Sequence, residues 1–144
     1  MIQSKKFIFI YGCGPSLEMT LNYIKNICKF DISEKILHLT ADGATAFLRK
    51  KNISIDAVFT DLDGIGIADF SYPNYIIVHA HGDNINKLLT YKNQIIQANN
   101  IIGTTQVKPD RNIINPGGFT DGDRILFFIK SFLKPDQKMF LIIR

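Results

Sequence analysis

Short apolar runs recur along the chain, and most of them end in a turn that contains glycine or aspartate. Runs of this length that are rich in β-branched isoleucine predict buried β-strands. The predicted strands cover residues 6–11, 36–39, 57–59, 75–78, 100–103, 112–114 and 139–143. Because these runs are apolar throughout instead of alternating, they are typical of a parallel sheet that is covered on both faces.

Between the strands, apolar residues recur at the three- and four-residue spacing of an amphipathic helix. The clearest series follows the first strand and consists of Leu17, Leu21, Ile24, Ile27 and Cys28. Ser16 precedes it as the candidate N-cap. Further helices are predicted around residues 46–48, 85–89 and 124–133. Strands that alternate with helices indicate a single α/β domain over residues 1–144, with a mostly parallel sheet flanked by helices.

Composition and charge narrow the classes of function. The chain has 144 residues, of which 46% are hydrophobic and 21% charged, as in an ordinary globular domain. Without an apolar run near the roughly 20 residues of a membrane span, and without a signal-peptide pattern, we expect a cytoplasmic protein that has no membrane partner. The formal net charge is +4. The basic residues are nevertheless scattered, so no nucleic-acid partner is expected. Cys13 and Cys28 match neither a redox motif nor a zinc site and are expected to be reduced thiols.

Aspartates follow the predicted strands with unusual regularity. They are Asp42, Asp61, Asp63, Asp83, Asp121 and Asp123. In an open parallel sheet the carboxyl ends of the strands share one edge, and ligands bind there. Carboxylates that meet at such an edge raise one another's pKa unless a cation neutralises them. Because Mg²⁺ prefers a few carboxylates together with water and substrate phosphates, the pattern predicts a magnesium site.

Each of these aspartates also has a purely structural interpretation. Asp-Gly pairs form turns, and Asp is a frequent helix N-cap. For Asp123, at the start of a predicted helix, capping and chemistry are equally supported. The metal interpretation is stronger for Asp61 and Asp63, because an Asp-x-Asp turn offers two carboxylates.

Three further features belong to the same predicted edge. The glycine turn at residues 12–14 suits a phosphate that approaches backbone N–H groups at a helix start, and it is equally compatible with a plain tight turn. His79 and His81 point the same way, but no third ligand at zinc spacing accompanies them, so substrate contact or hydrogen bonding within the loop is expected. Arg124 follows Asp123 and is suited either to bind a phosphate or to pair with the neighbouring carboxylates.

A series of motifs carries a resemblance to a known family. The motifs are Gly-Pro-Ser-Leu at 14–17, Ala-Asp-Gly-Ala at 41–44, Thr-Asp-Leu-Asp-Gly at 60–64, His-Ala-His-Gly-Asp-Asn at 79–84, Gly-Thr-Thr-Gln at 103–106 and Gly-Gly-Phe-Thr-Asp-Gly-Asp-Arg at 117–124. From residue 7 onward the chain resembles the archaeal 6-hydroxymethyl-7,8-dihydropterin pyrophosphokinases, which are related to thiamine pyrophosphokinases. The resemblance implies a Rossmann-like fold and the use of ATP and Mg²⁺ to make a pterin diphosphate and AMP.

The resemblance also implies roles for individual residues. The implied metal ligands are Asp61, Asp63 and Asp83, with Asp42 and Asp121 close by. The implied ATP-binding positions are Gly12, Gly14, Ser16, Asp42, Thr105 and Gln106. The implied catalytic residues are Asp83, Asp121 and Arg124, where one carboxylate accepts the hydroxyl proton and Arg124 stabilises the leaving group. The pterin ring is expected to contact Asn84, Thr105, Gln106 and Phe119. Taken singly, Phe119 is slightly better explained as packing under its loop and Gln106 as a solvated turn residue, and the resemblance favours the contact for the group.

Three alternatives stay open at this point. A thiamine pyrophosphokinase performs the same chemistry but normally carries an additional β domain. A nucleotide-sugar glycosyltransferase is favoured by Gly-Pro-Ser-Leu and the Asp-x-Asp turn. A nucleotide-binding module without turnover is the third. The chain also lacks the helical segment that usually precedes the first strand in the family and the tail that usually follows the last, and these segments are expected to shape the acceptor pocket or a homo-oligomer interface.

Overall fold

The computed structural model describes residues 2–28 and 35–142 and contains one six-stranded sheet. The strands are β1 (Phe7–Tyr11), β2 (Ile36–Ala41), β3 (Ala57–Thr60), β4 (Tyr75–Ala80), β5 (Ile101–Thr105) and β6 (Lys138–Ile142). The helices are α1 (Leu17–Cys28), α2 (Ala44–Lys50), α3 (Ile85–Thr90), α4 (Lys92–Gln97) and α5 (Asp121–Lys130), with short 3₁₀ turns at Ile2–Ser4 and Ile67–Phe70. The predicted Rossmann-like α/β class is confirmed.

The strands are parallel, so the loops that follow them all lie at one edge of the sheet. The sheet runs β5-β4-β3-β2-β1-β6, and all of its neighbouring strands are parallel. The chain therefore steps outward from β1 to β5 and then crosses back past β1 to β6. Because parallel crossovers are right-handed, reversing the direction of travel moves the last helix to the opposite face of the sheet.

Burial on both faces explains why the strands are apolar throughout. Phe9 and Tyr11 of β1 pack in one cluster with Leu48 of α2. Ile10 points to the other face and packs in a second cluster with Ile125 of α5. Each such side chain contributes roughly 1.5–3 kcal/mol of burial energy. The sheet is therefore buried on both faces, and loops form its carboxyl edge.

The strand predicted at residues 112–114 is wrong. The segment pairs with β5 for a single residue, where Ile114 accepts a hydrogen bond from the backbone of Thr105 and donates one to Gly103. Two backbone constraints limit the pairing: Arg111 has a positive φ of 52°, and Pro116 follows shortly after and cannot donate to a ladder. The sixth strand of the sheet is Lys138–Ile142 instead.

Several predicted boundaries also change. Helix α5 begins at Asp121 and not near Arg124, so Asp121 is the first residue of the helix. The predicted last strand ran to residue 143, which lies outside the described residues.

None of the described helices is long and apolar enough to cross a membrane.

Candidate functional site

A cleft of about 670 Å³ opens at the carboxyl edge of the sheet. It is lined by Gly12, Cys13, Ala41, Asp42, Asp61, His81, Asp83, Gln106, Phe119, Thr120, Asp121, Gly122 and Arg124. These residues come from the loops after β1 to β5 and from the start of α5. The parallel topology therefore brings together, as the sequence predicted, residues that are up to about a hundred positions apart in the chain.

Three carboxylates form the centre of this cleft. Asp42 follows β2, Asp61 follows β3 and Asp121 begins α5. One carboxylate oxygen from each of them lies within 4.8 Å of the others. We call this group the carboxylate triad. Its spacing allows the three side chains to bind one divalent cation together.

The triad is short of positive charge. Burial raises the pKa of Asp121 to about 8, and a hydrogen bond with Asp42 and repulsion from Asp42 and Asp61 add to the increase. Arg124 opposes this effect, since its Nη1 lies 2.8 Å from Asp121 Oδ1. The same guanidinium also donates from Nη2 to the carbonyl of Phe119, at 2.6 Å. Among residues 2–28 and 35–142, Arg124 is the one arginine that pairs with the triad, and it pairs with Asp121, so the other two carboxylates remain available to a cation.

The loops hold Asp42 and its neighbours in strained backbone conformations. Asp42 has a φ of 38° and Leu62 a φ of 76°, both in the left-handed region that non-glycine residues rarely adopt. Thr60 supports both: its hydroxyl donates to Asp42 Oδ1 at 2.6 Å and accepts from the Leu62 N–H at 2.8 Å. Such strain costs on the order of 1–3 kcal/mol per residue and is typical of functional sites. Sequence reasoning assigned no role to Thr60, although it opens the Thr-Asp-Leu-Asp motif.

Asp63 and Asp83 lie outside the triad. Asp63 is largely exposed, and its Oδ1 lies 3.4 Å from Lys87 Nζ. The Asp83 side chain is 99% exposed at the rim of the cleft, with Oδ2 at 4.0 Å from His81 Nδ1. His81 also approaches the triad, since its Nε2 lies 3.6 Å from Asp61 Oδ2. The geometry thus groups Asp61 with Asp42 and Asp121, whereas the sequence had grouped it with Asp63 and Asp83.

Asp123 caps the helix that Asp121 begins. Its carboxylate accepts from the Thr120 N–H, and the Thr120 hydroxyl accepts from the Asp123 N–H, each at 3.2 Å. These bonds lower the pKa of Asp123 below its usual value. Of the two interpretations that the sequence left open, the structure shows the capping contact.

His79 and His81 point the same way, as predicted, and stack at 5.8 Å. His79 is buried, and its Nδ1 lies 3.0 Å from the Thr104 hydroxyl, which itself donates to the Val78 carbonyl. His79 Nδ1 is therefore the donor, and the ring is neutral at neutral pH, because burial and then Arg124 lower its pKa to about 4. Within residues 2–28 and 35–142, His79 Nε2 has no hydrogen-bond partner.

The predicted nucleotide-binding positions are distributed unevenly. Gly12 and Gln106 line the cleft, whereas Gly14, Ser16 and Thr105 do not. The Ser16 carbonyl accepts from the Thr20 N–H at 2.9 Å and so belongs to the first turn of α1. The Thr105 hydroxyl accepts from the Val107 N–H.

Phe119 and Asn84, both predicted to contact the acceptor, differ in accessibility. Phe119 lines the cleft and is 92% exposed. Asn84 is buried and bonds to the backbone of neighbouring loops. The aromatic side chain is therefore accessible to a ligand, and the amide is not.

Comparison with known proteins identifies the family of the chain. A family model described as "6-hydroxymethylpterin diphosphokinase MptE-like" matches residues 1–134. A 6-hydroxymethyl-7,8-dihydropterin pyrophosphokinase of Methanocaldococcus jannaschii is 38% identical over 134 residues, which are 87% of this chain and 53% of that protein. The protein of the same name from Methanothermobacter thermautotrophicus is 40% identical over 130 residues, or 88% of this chain and 52% of that protein.

A third relative with this name, from Pyrococcus furiosus, is 38% identical over 122 residues, which are 83% of this chain and 48% of that protein. The chain thus spans about half the length of the curated relatives that it matches. The matched segment contains the carboxylate triad and every loop that lines the cleft. The chain belongs to the MptE-like 6-hydroxymethylpterin diphosphokinase family.

Proposed function

We propose that this chain transfers diphosphate from ATP to the hydroxymethyl group of 6-hydroxymethyl-7,8-dihydropterin, giving AMP and the pterin diphosphate. Residues 1–144 would act as one catalytic domain. The observation that carries the proposal is the carboxylate triad, which lies in a cleft of a chain that belongs to this family. The relatives that bear the name of this enzyme supply the substrate class.

The triad fits a hard divalent cation such as Mg²⁺. Asp42, Asp61 and Asp121 offer oxygen ligands from three different elements. Burial, followed by the neighbouring carboxylates, raises the pKa of Asp121, and a bound cation would offset both effects. Magnesium usually retains water and binds substrate phosphates as further ligands. When bound, it would neutralise charge on the phosphates of ATP. Asp63 and Asp83 stay candidate ligands from the motif, in more exposed positions.

The phosphates of ATP would bind at the glycine turn after β1. Gly12 lines the cleft, and backbone N–H groups near the start of α1 suit phosphate oxygens. Gln106 offers an amide from the far side of the same cleft. Gly14, Ser16 and Thr105 belong to the same turns and would shape the backbone around the nucleotide.

Diphosphate transfer requires of the protein mainly orientation and charge stabilisation. Arg124 is anchored by Asp121 and by the Phe119 carbonyl, so its guanidinium has a defined position in the cleft. From there it would stabilise the charge that develops on the departing AMP. The proton of the acceptor hydroxyl would pass to Asp83 or to Asp121. Asp83 is solvated at the rim of the cleft, whereas Asp121 is buried within it.

The acceptor would stack on Phe119. This ring is 92% exposed and lies beside the triad in the same cleft. Exposing a large aromatic side chain is unfavourable in water, so a flat heterocycle that covers it gains apolar burial and stacking energy. A pterin ring meets this requirement.

The decisive experiment is one incubation of the chain with ATP, Mg²⁺ and hydroxymethyl-dihydropterin, in which AMP and ADP are resolved. We expect AMP and pterin diphosphate in equal amounts, and no turnover with EDTA. ADP as the main product would mean simple kinase chemistry and would overturn the proposal.

Acceptor choice is tested in a separate competition with thiamine. A site that hydrogen-bonds one heterocycle can reject another by as much as about 10⁴-fold. We expect the pterin diphosphate to predominate when both acceptors are present at equal concentration. Thiamine diphosphate as the dominant product would overturn the pterin assignment and leave the metal and ATP assignments intact.

A further inference from the structure

Asn84 immediately precedes helix α3, a position at which asparagine usually caps the helix with its side chain. Here the side chain makes no capping hydrogen bond, even though the α3 N-terminus directly follows it. It is instead buried, with 3% of its surface exposed. The residue type at this position is therefore not explained by helix capping.

The Asn84 amide is fully engaged with the backbone of two strand-end loops. Its Nδ2 donates to the Asp61 carbonyl at 2.8 Å and to the His79 carbonyl at 2.7 Å. Its Oδ1 accepts from the His81 N–H at 3.2 Å. Both amide hydrogens and the carbonyl oxygen are thus used, as a buried primary amide requires. We call these three bonds the Asn84 clip.

The clip joins the loop after β3 to the loop after β4. Asp61 supplies one carboxylate of the triad, and His81 lies 3.6 Å from that carboxylate. Strands β3 and β4 end side by side, but their ladder of backbone hydrogen bonds stops at Thr60 and Val78. Beyond that point, the clip ties the Asp61 backbone directly to the end of β4.

We propose that Asn84 is a positioning residue, which fixes Asp61 in the geometry that a divalent cation requires. This inference rests on the proposed metal site. Groups that orient metal ligands from behind are typically worth about 10- to 100-fold in metal affinity. An aliphatic side chain at this position would leave the Asp61 backbone free to turn, and the Asp61 carboxylate would turn with it.

Asn100 supplies a matched control at the opposite edge of the sheet. Its Nδ2 also donates to two backbone carbonyls, those of Pro73 at 3.2 Å and Asn74 at 3.0 Å, and so joins the amino ends of β4 and β5. Asn100→Ala therefore removes the same kind of bonds far from the cleft. Any general effect of losing side-chain-to-backbone bonds appears in both variants.

The test is Mn²⁺ binding by electron paramagnetic resonance, for wild type, Asn84→Ala, Asn84→Ser and Asn100→Ala, each well below its melting temperature. We expect Asn84→Ala to weaken Mn²⁺ binding by about tenfold or more. Asn84→Ser should weaken it less, because the serine hydroxyl still donates one bond. Asn100→Ala should bind Mn²⁺ as wild type does. Asn84→Ala with wild-type affinity would overturn the inference, as would equal losses in Asn84→Ala and Asn100→Ala.

Amide hydrogen exchange tests the clip without metal and through a folded variant. The Leu62 N–H, which bonds to Thr60 Oγ1, reports on the loop that carries Asp61. We expect its exchange to accelerate by about tenfold or more in Asn84→Ser and to stay unchanged in Asn100→Ala. Unchanged exchange in Asn84→Ser would contradict the inference. A wild-type protein that binds no Mn²⁺ would instead remove the proposed metal site itself, and the wild-type titration alone shows that result.

Discussion

Gly64 lies directly against Asp42: a β-carbon on Gly64 would come within 2.7 Å of the β-carbon of Asp42 and 2.8 Å of the Gly43 backbone nitrogen. These residues belong to the turns after β3 and β2. The glycine of the Thr-Asp-Leu-Asp-Gly motif therefore allows two strand-end turns to approach closely enough for Asp42 and Asp61 to share a site. Its function is close packing between loops.

Gly64→Ala should separate the two turns. Because the contacting atoms are backbone and the first side-chain carbon, they cannot move aside cheaply, and overpacking of this kind costs typically about 1–3 kcal/mol. We expect a lower melting temperature and weaker Mn²⁺ binding. Gly66→Ala is the control, since the nearest atom to its added carbon is Asp69 Oδ2 at 3.7 Å. Mn²⁺ binding by Gly64→Ala equal to that of Gly66→Ala would contradict the explanation.

Asp61→Asn and Asp63→Asn should differ, although the two residues belong to one Asp-x-Asp turn. Asp61 belongs to the triad, whereas Asp63 pairs with Lys87 in solvent. We expect Asp61→Asn to lower the transfer rate by about 10²-fold or more, and Asp63→Asn to lower it much less. Both variants should remain folded, because Asp61→Asn removes one crowded negative charge and Asp63→Asn changes only an exposed ion pair. Circular dichroism checks the fold, and equal rates for the two variants would refute the grouping.

Phe119→Ala should affect ligand binding far more than stability. The ring is 92% exposed, so its removal forfeits little burial, and loss of an aromatic stacking partner costs a ligand about 0.5–1.5 kcal/mol. We expect the KM for the pterin to rise by about three- to tenfold with little change in melting temperature. Tyr23→Ala is the control, because Tyr23 is likewise exposed but lies on α1 and does not line the cleft. An unchanged KM would remove Phe119 from the acceptor site.

His79 should make the free energy of unfolding depend on pH between about 4 and 6.5. Its pKa falls from 6.5 in the unfolded chain to about 4 in the folded protein, so the unfolded chain binds more protons between these values and stability rises with pH there. The stability that the protein has with His79 neutral in both states is fully present above pH 6.5 and is progressively lost as pH falls toward 4.

Urea denaturation of wild type and His79→Gln at a series of pH values measures this effect. As pH rises from 4 to 6.5, the unfolding free energy of wild type should increase relative to that of His79→Gln, by at most about 3 kcal/mol. The other charges that face His79 are Arg124 from α5, His81 from the end of β4 and Asp61 from the end of β3, and they are present in both proteins. Parallel curves for the two proteins would show that His79 does not titrate in this way.

The sequence alone determined the fold class and the edge that carries the site. Continuous apolar runs that alternate with helical spacing are buried on both faces, and that is possible only in a layered α/β fold. Because parallel strands all end at one edge, the loops that carry these aspartates were expected at that edge. The capping of α5 by Asp123 was also visible, as one of two local interpretations.

Only the tertiary structure decided which aspartates meet. Asp61 and Asp63 are nearly adjacent in sequence, but the buried residue between them, Leu62, has a φ of 76° and turns the chain. As a result, the Asp61 carboxylate faces Asp42 and Asp121, whereas the Asp63 carboxylate faces solvent. The role of Asn84 was hidden for the same reason: its bonds go to the backbone carbonyls of Asp61 and His79 and to the backbone N–H of His81, and backbone groups carry no signature in a sequence. Periodicity reports which face a residue occupies, whereas contacts between loops depend on how neighbouring strand ends are spaced in three dimensions.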